Sequence, residues 1–145
     1  AGVRGVRGDR VGIGGGRETD VVFSAGDIRT TLVGVGGVAT PAGAQGKDLS
    51  KPILGKSKEE PDSAYLAITS YGAEGPGEDW RGVRTQEWLY AATPKKDWLL
   101  YNIQRDPYEL TNLVDDPAHR KTLLKLRART RRWIKETNDP FQFPG

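Results

Sequence analysis

The clearest alternation of apolar and polar positions lies between Asp116 and Asp139. His119, Leu123, Leu126, Thr130, Trp133 and Ile134 fall within an arc of about 100° on a helical wheel. Arg120, Lys121, Lys125, Arg127, Arg129, Arg131, Arg132 and Lys135 fill the rest of the wheel. This predicts a long amphipathic helix that needs an apolar surface to lie on. Asp116 supplies a capping oxygen, Pro117 suits the first helical position, where a missing N–H is no loss, and Asp139-Pro140 ends the element.

Upstream, the period shortens. Tyr65–Tyr71, Val83–Thr85, Trp88–Ala91 and Trp98–Tyr101 are short runs rich in aromatic and β-branched side chains, which favour strands. Gly72–Asp79 is a loop rich in Gly, Pro and Glu, and Gln86-Glu87 and Pro94–Asp97 are turns. Strands with short connections pair in sequence, so an antiparallel sheet is expected. The predicted fold class is α+β: a small four-stranded antiparallel sheet packed against one long C-terminal helix, preceded by a Gly-rich, partly irregular N-terminal segment.

That first segment is poor in material for a core. Thirteen of the 19 glycines lie within residues 1–46, and residues 1–18 read as loop. Val21-Val22-Phe23 suggests a short strand. Asp27 reads as the cap of a helix through Leu32, and Gly34 and Gly36 oppose its continuation at about 1 kcal/mol each relative to Ala. The polar stretch 56–63 reads as a linker. Two parts are therefore expected, 1–62 and 63–145.

Composition narrows the chemistry. The chain has no Cys, which excludes disulfides, thiolate metal sites and a cysteine nucleophile. No apolar run approaches the ~20 residues that cross a bilayer, and no signal-peptide pattern opens the chain. With no Met present either, a fragment or an engineered piece is the expectation. A net charge of +3 is modest, and its cations crowd the last helix.

Several ordered motifs resemble the sulfatase family, the alkaline-phosphatase-like hydrolases of sulfate esters. Trp98-Leu99-Leu100-Tyr101-Asn102-Ile103-Gln104-Arg105-Asp106-Pro107-Tyr108-Glu109-Leu110-Thr111-Asn112-Leu113, continuing through Asp115-Asp116-Pro117, resembles a passage near that family's C-terminus. Trp80-Arg81-Gly82-Val83-Arg84-Thr85, followed by Trp88, is similar to a hairpin of the same family. Asp27–Leu32, Gln45–Ser50 and Pro52–Gly55 resemble its preceding helix and connector, and Gly2-Val3-Arg4 resembles a segment before a core strand. The similarity runs over about residues 20–137 and is strongest over 81–117. Around Val6–Val11 the family's Pro and apolar run are missing.

The resemblance implies the C-terminal portion of such an enzyme. In the family, a formylglycine made from the first residue of a Cys/Ser-x-Pro-x-Arg motif is the nucleophile, and a divalent cation, usually Ca²⁺, is held by Asp and Asn. Lys and His stabilise the sulfate and leaving group. No Ser here begins that motif and His119 is the single His, so no catalytic residue, metal ligand or cofactor is expected within this chain. Ca²⁺ and formylglycine are expected in the intact parent enzyme. The implied role is to pack on the catalytic domain and border the substrate cleft, with the chain inactive alone. By the same analogy Tyr71, Glu74, Glu78, Asp79, Trp80 and Arg81 line the pocket rim. The family also suggests a periplasmic, secreted or lysosomal protein.

Other readings of the residues compete. Eight cations on helix 119–135 permit a polyanion-binding module, although nothing marks nucleic-acid reading. A folding unit without any ligand is a third possibility. His119 reads as a packing or capping residue rather than an acid. Asp115-Asp116 and the pair Asp106/Glu109 are explained by turn and cap duties. Gly12-x-Gly14-Gly15-Gly16 lacks the Gly-Lys-Ser/Thr ending of a phosphate loop. A sheet with one helix on one face leaves its other face open to the catalytic domain or to self-association.

Overall fold

The computed structural model describes residues 21–44, 46–58, 60–68 and 79–144. The chain divides into two compact units at Asp62/Ser63. The readings of residues 1–18, of Gly12–Gly16 and of Ser70-Tyr71 lie outside the described residues.

The first unit contains α1 (Ala25–Val35) and the short α2 (Ser50–Ile53). Val21-Val22-Phe23 is irregular rather than a strand. The cap of α1 is Ser24, with Asp27 three residues inside the helix as its reciprocal partner. Asp27 Oδ2 accepts from the Ser24 amide at 2.9 Å and from its hydroxyl at 2.6 Å. The other oxygen, Oδ1, accepts from the Lys47 amide at 2.7 Å.

Two threonines complete this strap. Thr30 Oγ1 donates to the Lys47 carbonyl at 2.7 Å, and Thr31 Oγ1 accepts from the Leu49 amide at 3.1 Å. Residues 46–49 thus lie against α1 through buried polar groups that are all satisfied. The helix runs on through Gly34, where the Asp48 carboxylate occupies the space a Cβ would need.

The second unit is the expected sheet and helix. Strands β1 (Ala64–Ile68), β2 (Trp80–Arg84), β3 (Trp88–Ala92) and β4 (Asp97–Asn102) pair antiparallel in sequence order. Tyr65, Val83, Tyr90 and Leu100 stand opposite one another along one register row. Side chains of such a row share a face, and on it lies α3 (Arg120–Glu136), entered through a 3₁₀ turn over Pro117–His119. Val83, Tyr90, Ala92 and Leu100 join Leu123 and Leu126 in the core, flanked by Trp88, Leu113, Val114, Trp133 and Phe143. The Tyr65 and Trp133 rings stack at 5.9 Å, and the Trp133 indole N–H donates to Ser63 Oγ at 2.9 Å.

The outer edge of β4 is closed by the chain that follows it. Asn112 Oδ1 accepts from the Leu100 amide at 3.0 Å, and its Nδ2 donates to the Trp98 carbonyl at 3.0 Å. The Leu113 amide adds a bond to the Leu100 carbonyl at 2.8 Å. An edge strand whose backbone groups are filled in this way offers little to another chain.

Candidate functional site

At one end of the sheet the β1–β2 connection begins after Ile68 and rejoins at Asp79. Arg81 governs this end. Its Nη1 donates to the Ile68 carbonyl at 3.2 Å and to the Trp80 carbonyl at 3.0 Å, one on each side of the connection. Nε donates to Asp139 Oδ2 at 2.6 Å, and Nη2 donates to Oδ1 at 3.2 Å, a bidentate pair. The guanidinium also lies 4.9 Å above the Phe141 ring.

Asp139 gathers further donors. Tyr65 OH reaches Oδ2 at 2.9 Å and the Phe141 amide reaches Oδ1 at 2.9 Å. The side chains of Arg81 and Asp139 are only 7% and 12% exposed. Burial alone would raise the Asp139 pKa. The hydrogen bonds from Arg81, Phe141 and Tyr65 outweigh it and hold the carboxyl below its ordinary range. The Tyr65 phenol is pushed up, first by burial and then by its bond to the Asp139 anion. The polar cluster therefore stays charged and fixed, and ties the segment after α3 to the base of the β1–β2 connection.

Of the six residues placed on the rim by resemblance, Tyr71, Glu74 and Glu78 lie outside the described residues. Asp79 is half-buried at the start of β2. Trp80 is half-buried, with its ring 5.8 Å from that of Trp98 and tilted by 60°. Arg81 lies beneath these two and is engaged by Asp139, so the structure brings Trp80 and Arg81 to one end of the sheet on opposite faces. Asp139, read from sequence as a helix stop, was not anticipated as the partner of Arg81. The two are 58 residues apart, and no local pattern marks a pairing of that range.

The other candidates have local duties. His119 packs its ring 5.4 Å from that of Trp88, and its Nε2 is 3.8 Å from Asp116 Oδ2. Asp116 accepts from the Ala118 amide at 2.8 Å, as a cap. Asp106 Oδ2 accepts from the Thr111 amide at 2.8 Å, and this and the Leu110 amide lower its pKa. Part of the basic face of α3 is used internally. Arg127 Nη2 and Arg131 Nη2 converge on the Pro144 carbonyl at 2.6 and 3.2 Å, and both guanidiniums lie over Phe143. Arg127 also pairs with Asp97 at 3.5 Å, and Asp97 accepts a short bond from Tyr90 OH.

The residues present do not fit the family's catalytic groups. No Cys occurs, and Ser50-Lys51-Pro52-Ile53, the nearest approach to the formylglycine motif, continues with Leu54 where Arg is required. Among the described residues no three His, Cys, Asp or Glu side chains are grouped to hold a metal ion. No helix among them is long and apolar enough to cross a membrane.

Comparison with known proteins accounts for this selection of parts. Residues 11–136 match the model of the family "N-sulphoglucosamine sulphohydrolase, C-terminal". An ulvan-active sulfatase of Formosa agariphila is 26% identical over 117 residues, covering 80% of this chain and 23% of that protein. A Delta 4,5-hexuronate-2-O-sulfatase of Bacteroides thetaiotaomicron is 29% identical over 124 residues, covering 80% of the chain and 24% of the relative. The solved structure of a 2-O GAG sulfatase superposes with a TM-score of 0.73 at 25% identity, covering 88% of this chain and 28% of that one. The chain spans about a quarter of the length of these relatives. The matched residues include both units and the whole of the sheet and α3, and the chain belongs to the N-sulphoglucosamine sulphohydrolase C-terminal family: it is a C-terminal sulfatase domain.

Proposed function

We propose that the whole protein is a sulfatase acting on a sulfated carbohydrate, and that this chain serves it by packing on the catalytic part and bordering the substrate cleft. The observation that carries the second half is the Arg81 clamp. A buried, bidentate, fourfold-bonded ion pair is set directly under both ends of the β1–β2 connection. Such a network is costly to assemble and fixes geometry once complete. That expense suits a connection whose position matters, as a specificity loop's does. Tyr71, Glu74, Glu78, Asp79 and Trp80 then belong to the rim, with Arg81 holding the rim in place.

The carbohydrate class is supported by the relatives, which act on ulvan, a hexuronate 2-O-sulfate and a GAG 2-O-sulfate by their names. In this reading Ca²⁺ and the formylglycine nucleophile reside in the catalytic part, which also covers much of the sheet face opposite α3. The isolated chain would self-associate through that face at high concentration.

The test compares sulfate release by the full-length enzyme with release by residues 1–145 alone, each with Ca²⁺, on sulfated uronate disaccharides and an aryl sulfate. The reading expects release by the full-length enzyme and none by the isolated chain. Turnover by the isolated chain, or none by the full-length enzyme on any sulfated carbohydrate, would sink it.

A further inference from the structure

We propose that the stripe Ile28, Leu32 and Val35 of α1 is a seat for the catalytic part of the enzyme, which covers it with an apolar face of its own. The inference rests on the reading above and deepens it by naming where the two parts meet. Its starting point is a helix whose polar side is buried and whose apolar side is not. Asp27, Thr30 and Thr31 are 8%, 1% and 3% exposed, whereas Ile28 and Leu32 are 46% and 64% exposed. Residues of these types are ordinarily distributed the other way.

The polar side already has its partner. Asp27, Thr30 and Thr31 bond the backbone of Lys47 and Leu49, and Gly34 backs onto the Asp48 carboxylate. These four positions, spaced by three and four, are one side of the helix. Ile28, Leu32 and Val35 repeat at the same spacing roughly a third of a turn away. That is the stripe by which a helix lies on a core, and the described residues of the first unit leave Ile28 and Leu32 open.

Both ends of α1 are closed by local bonds, so the helix presents the stripe in a fixed shape. At its start Ser24 and Asp27 form the capping box, and Phe23 and Ile28 occupy the two positions of a hydrophobic staple. At its end the backbone turns at Gly37, with φ 71°. The Gly37 amide donates to the Gly34 carbonyl at 3.0 Å and the Val38 amide to the Val33 carbonyl at 3.1 Å, a Schellman closure that leaves Val38 64% exposed. Half of the exposed large apolar side chains among the described residues thus fall within 23–38: Phe23, Ile28, Leu32 and Val38. The stripe carries no polar side chain, so it suits an apolar protein face and neither a sugar nor an anion. The occupant follows from the relatives. The family match over residues 11–136 takes in α1, and this chain spans about a quarter of the relatives' length. The remainder, where the reading above puts the catalytic part, is the largest body such an enzyme has to lay against the stripe.

The test uses the full-length enzyme grown with photo-leucine, a diazirine analogue of leucine's shape that cross-links to whatever touches it. Cross-linked peptides bearing Leu32 should join Leu32 to residues outside these 145. Leu32 cross-links confined to these residues, within one copy or between two, would overturn the proposal, as would reaction with water alone. A second measurement needs no analogue. In the full-length Leu32→Cys variant, maleimide should label position 32 at least about tenfold more slowly in the native enzyme than in urea. A native rate within about twofold of the urea rate would overturn the seat. Sulfate release from a sulfated carbohydrate by the same preparation decides the broader reading separately, so that reading survives if the stripe proves open.

Discussion

Replacing Asp139 with Ala should be among the most damaging single changes in the second unit. The variant strands the Arg81 guanidinium at a site where its side chain is 7% exposed. It also removes the acceptor of Tyr65 OH and of the Phe141 amide. Breaking a buried ion pair from one side costs about 3–5 kcal/mol. A unit of roughly 80 residues has about 4–12 kcal/mol of stability in total, so much of it disappears. Thermal unfolding followed by tryptophan fluorescence should shift down by on the order of 20 °C. Two controls isolate the cause. Glu136→Ala breaks the exposed Arg132–Glu136 pair, 3.8 Å apart, and should cost no more than about 0.5 kcal/mol. Arg81→Met combined with Asp139→Ala removes both charges and should be less harmful than Asp139→Ala alone. A loss below about 1 kcal/mol for Asp139→Ala, or one no larger than that of Glu136→Ala, would refute the reasoning.

Acid should act through the same carboxylate. The folded state lowers the Asp139 pKa from its ordinary 3.8, so its contribution is complete above that value and is lost as pH falls through the lower folded one. Urea midpoints measured from pH 6 to pH 3 should fall, and Asp139→Asn should flatten the decline. At the alkaline end, Tyr65 and Tyr90 are raised above 10.0, first by burial, so their contribution is present below pH 10 and lost as pH rises beyond it. Unfolding and phenolate absorbance at these two should therefore appear together. In the first unit, Gly46→Ala puts a Cβ into the Gly26 carbonyl and should cost more than about 2 kcal/mol. Gly34→Ala drives a Cβ into the Asp48 carboxylate, which the Ser50 amide holds at 2.8 Å, so despite about 1 kcal/mol of regained helix propensity it should lower the circular-dichroism melting midpoint, though by less than Gly46→Ala. Asn112→Ala leaves the Leu100 amide without its acceptor and should cost about 1–2 kcal/mol, with faster hydrogen exchange at that amide.

The strands and α3 were legible because their signals are local. The aromatic-rich run Trp88–Ala91, the Asp116-Pro117 start and the Leu123/Leu126/Thr130 stripe each act within a few residues. The first unit was harder, since α1 is held by the buried polar side chains of Asp27, Thr30 and Thr31 rather than by an apolar stripe. Asp27 looked like a cap because acids favour helix starts, yet the hydroxyl three residues earlier holds that place. Arg127 and Arg131 read as cations on the polar face of the last helix and Arg81 as a rim residue, because hydropathy treats every Arg alike. Their carbonyl, carboxylate and ring partners lie 12 or more residues away, except the Trp80 carbonyl beside Arg81. The bulge that leaves Trp98 as the extra residue of β4 was equally invisible, since register depends on the paired strand.

The most direct measurement concerns substrate choice. In the full-length enzyme, residues 69–79 would be replaced by a Gly/Ser linker of equal length. Then kcat/KM would be determined for a sulfated uronate disaccharide and for an aryl sulfate. If this end of the sheet borders the cleft, the disaccharide value should fall at least about tenfold, equivalent to ~1.4 kcal/mol of lost transition-state binding, while the aryl sulfate value holds within about twofold. Unchanged values for both substrates would contradict the account.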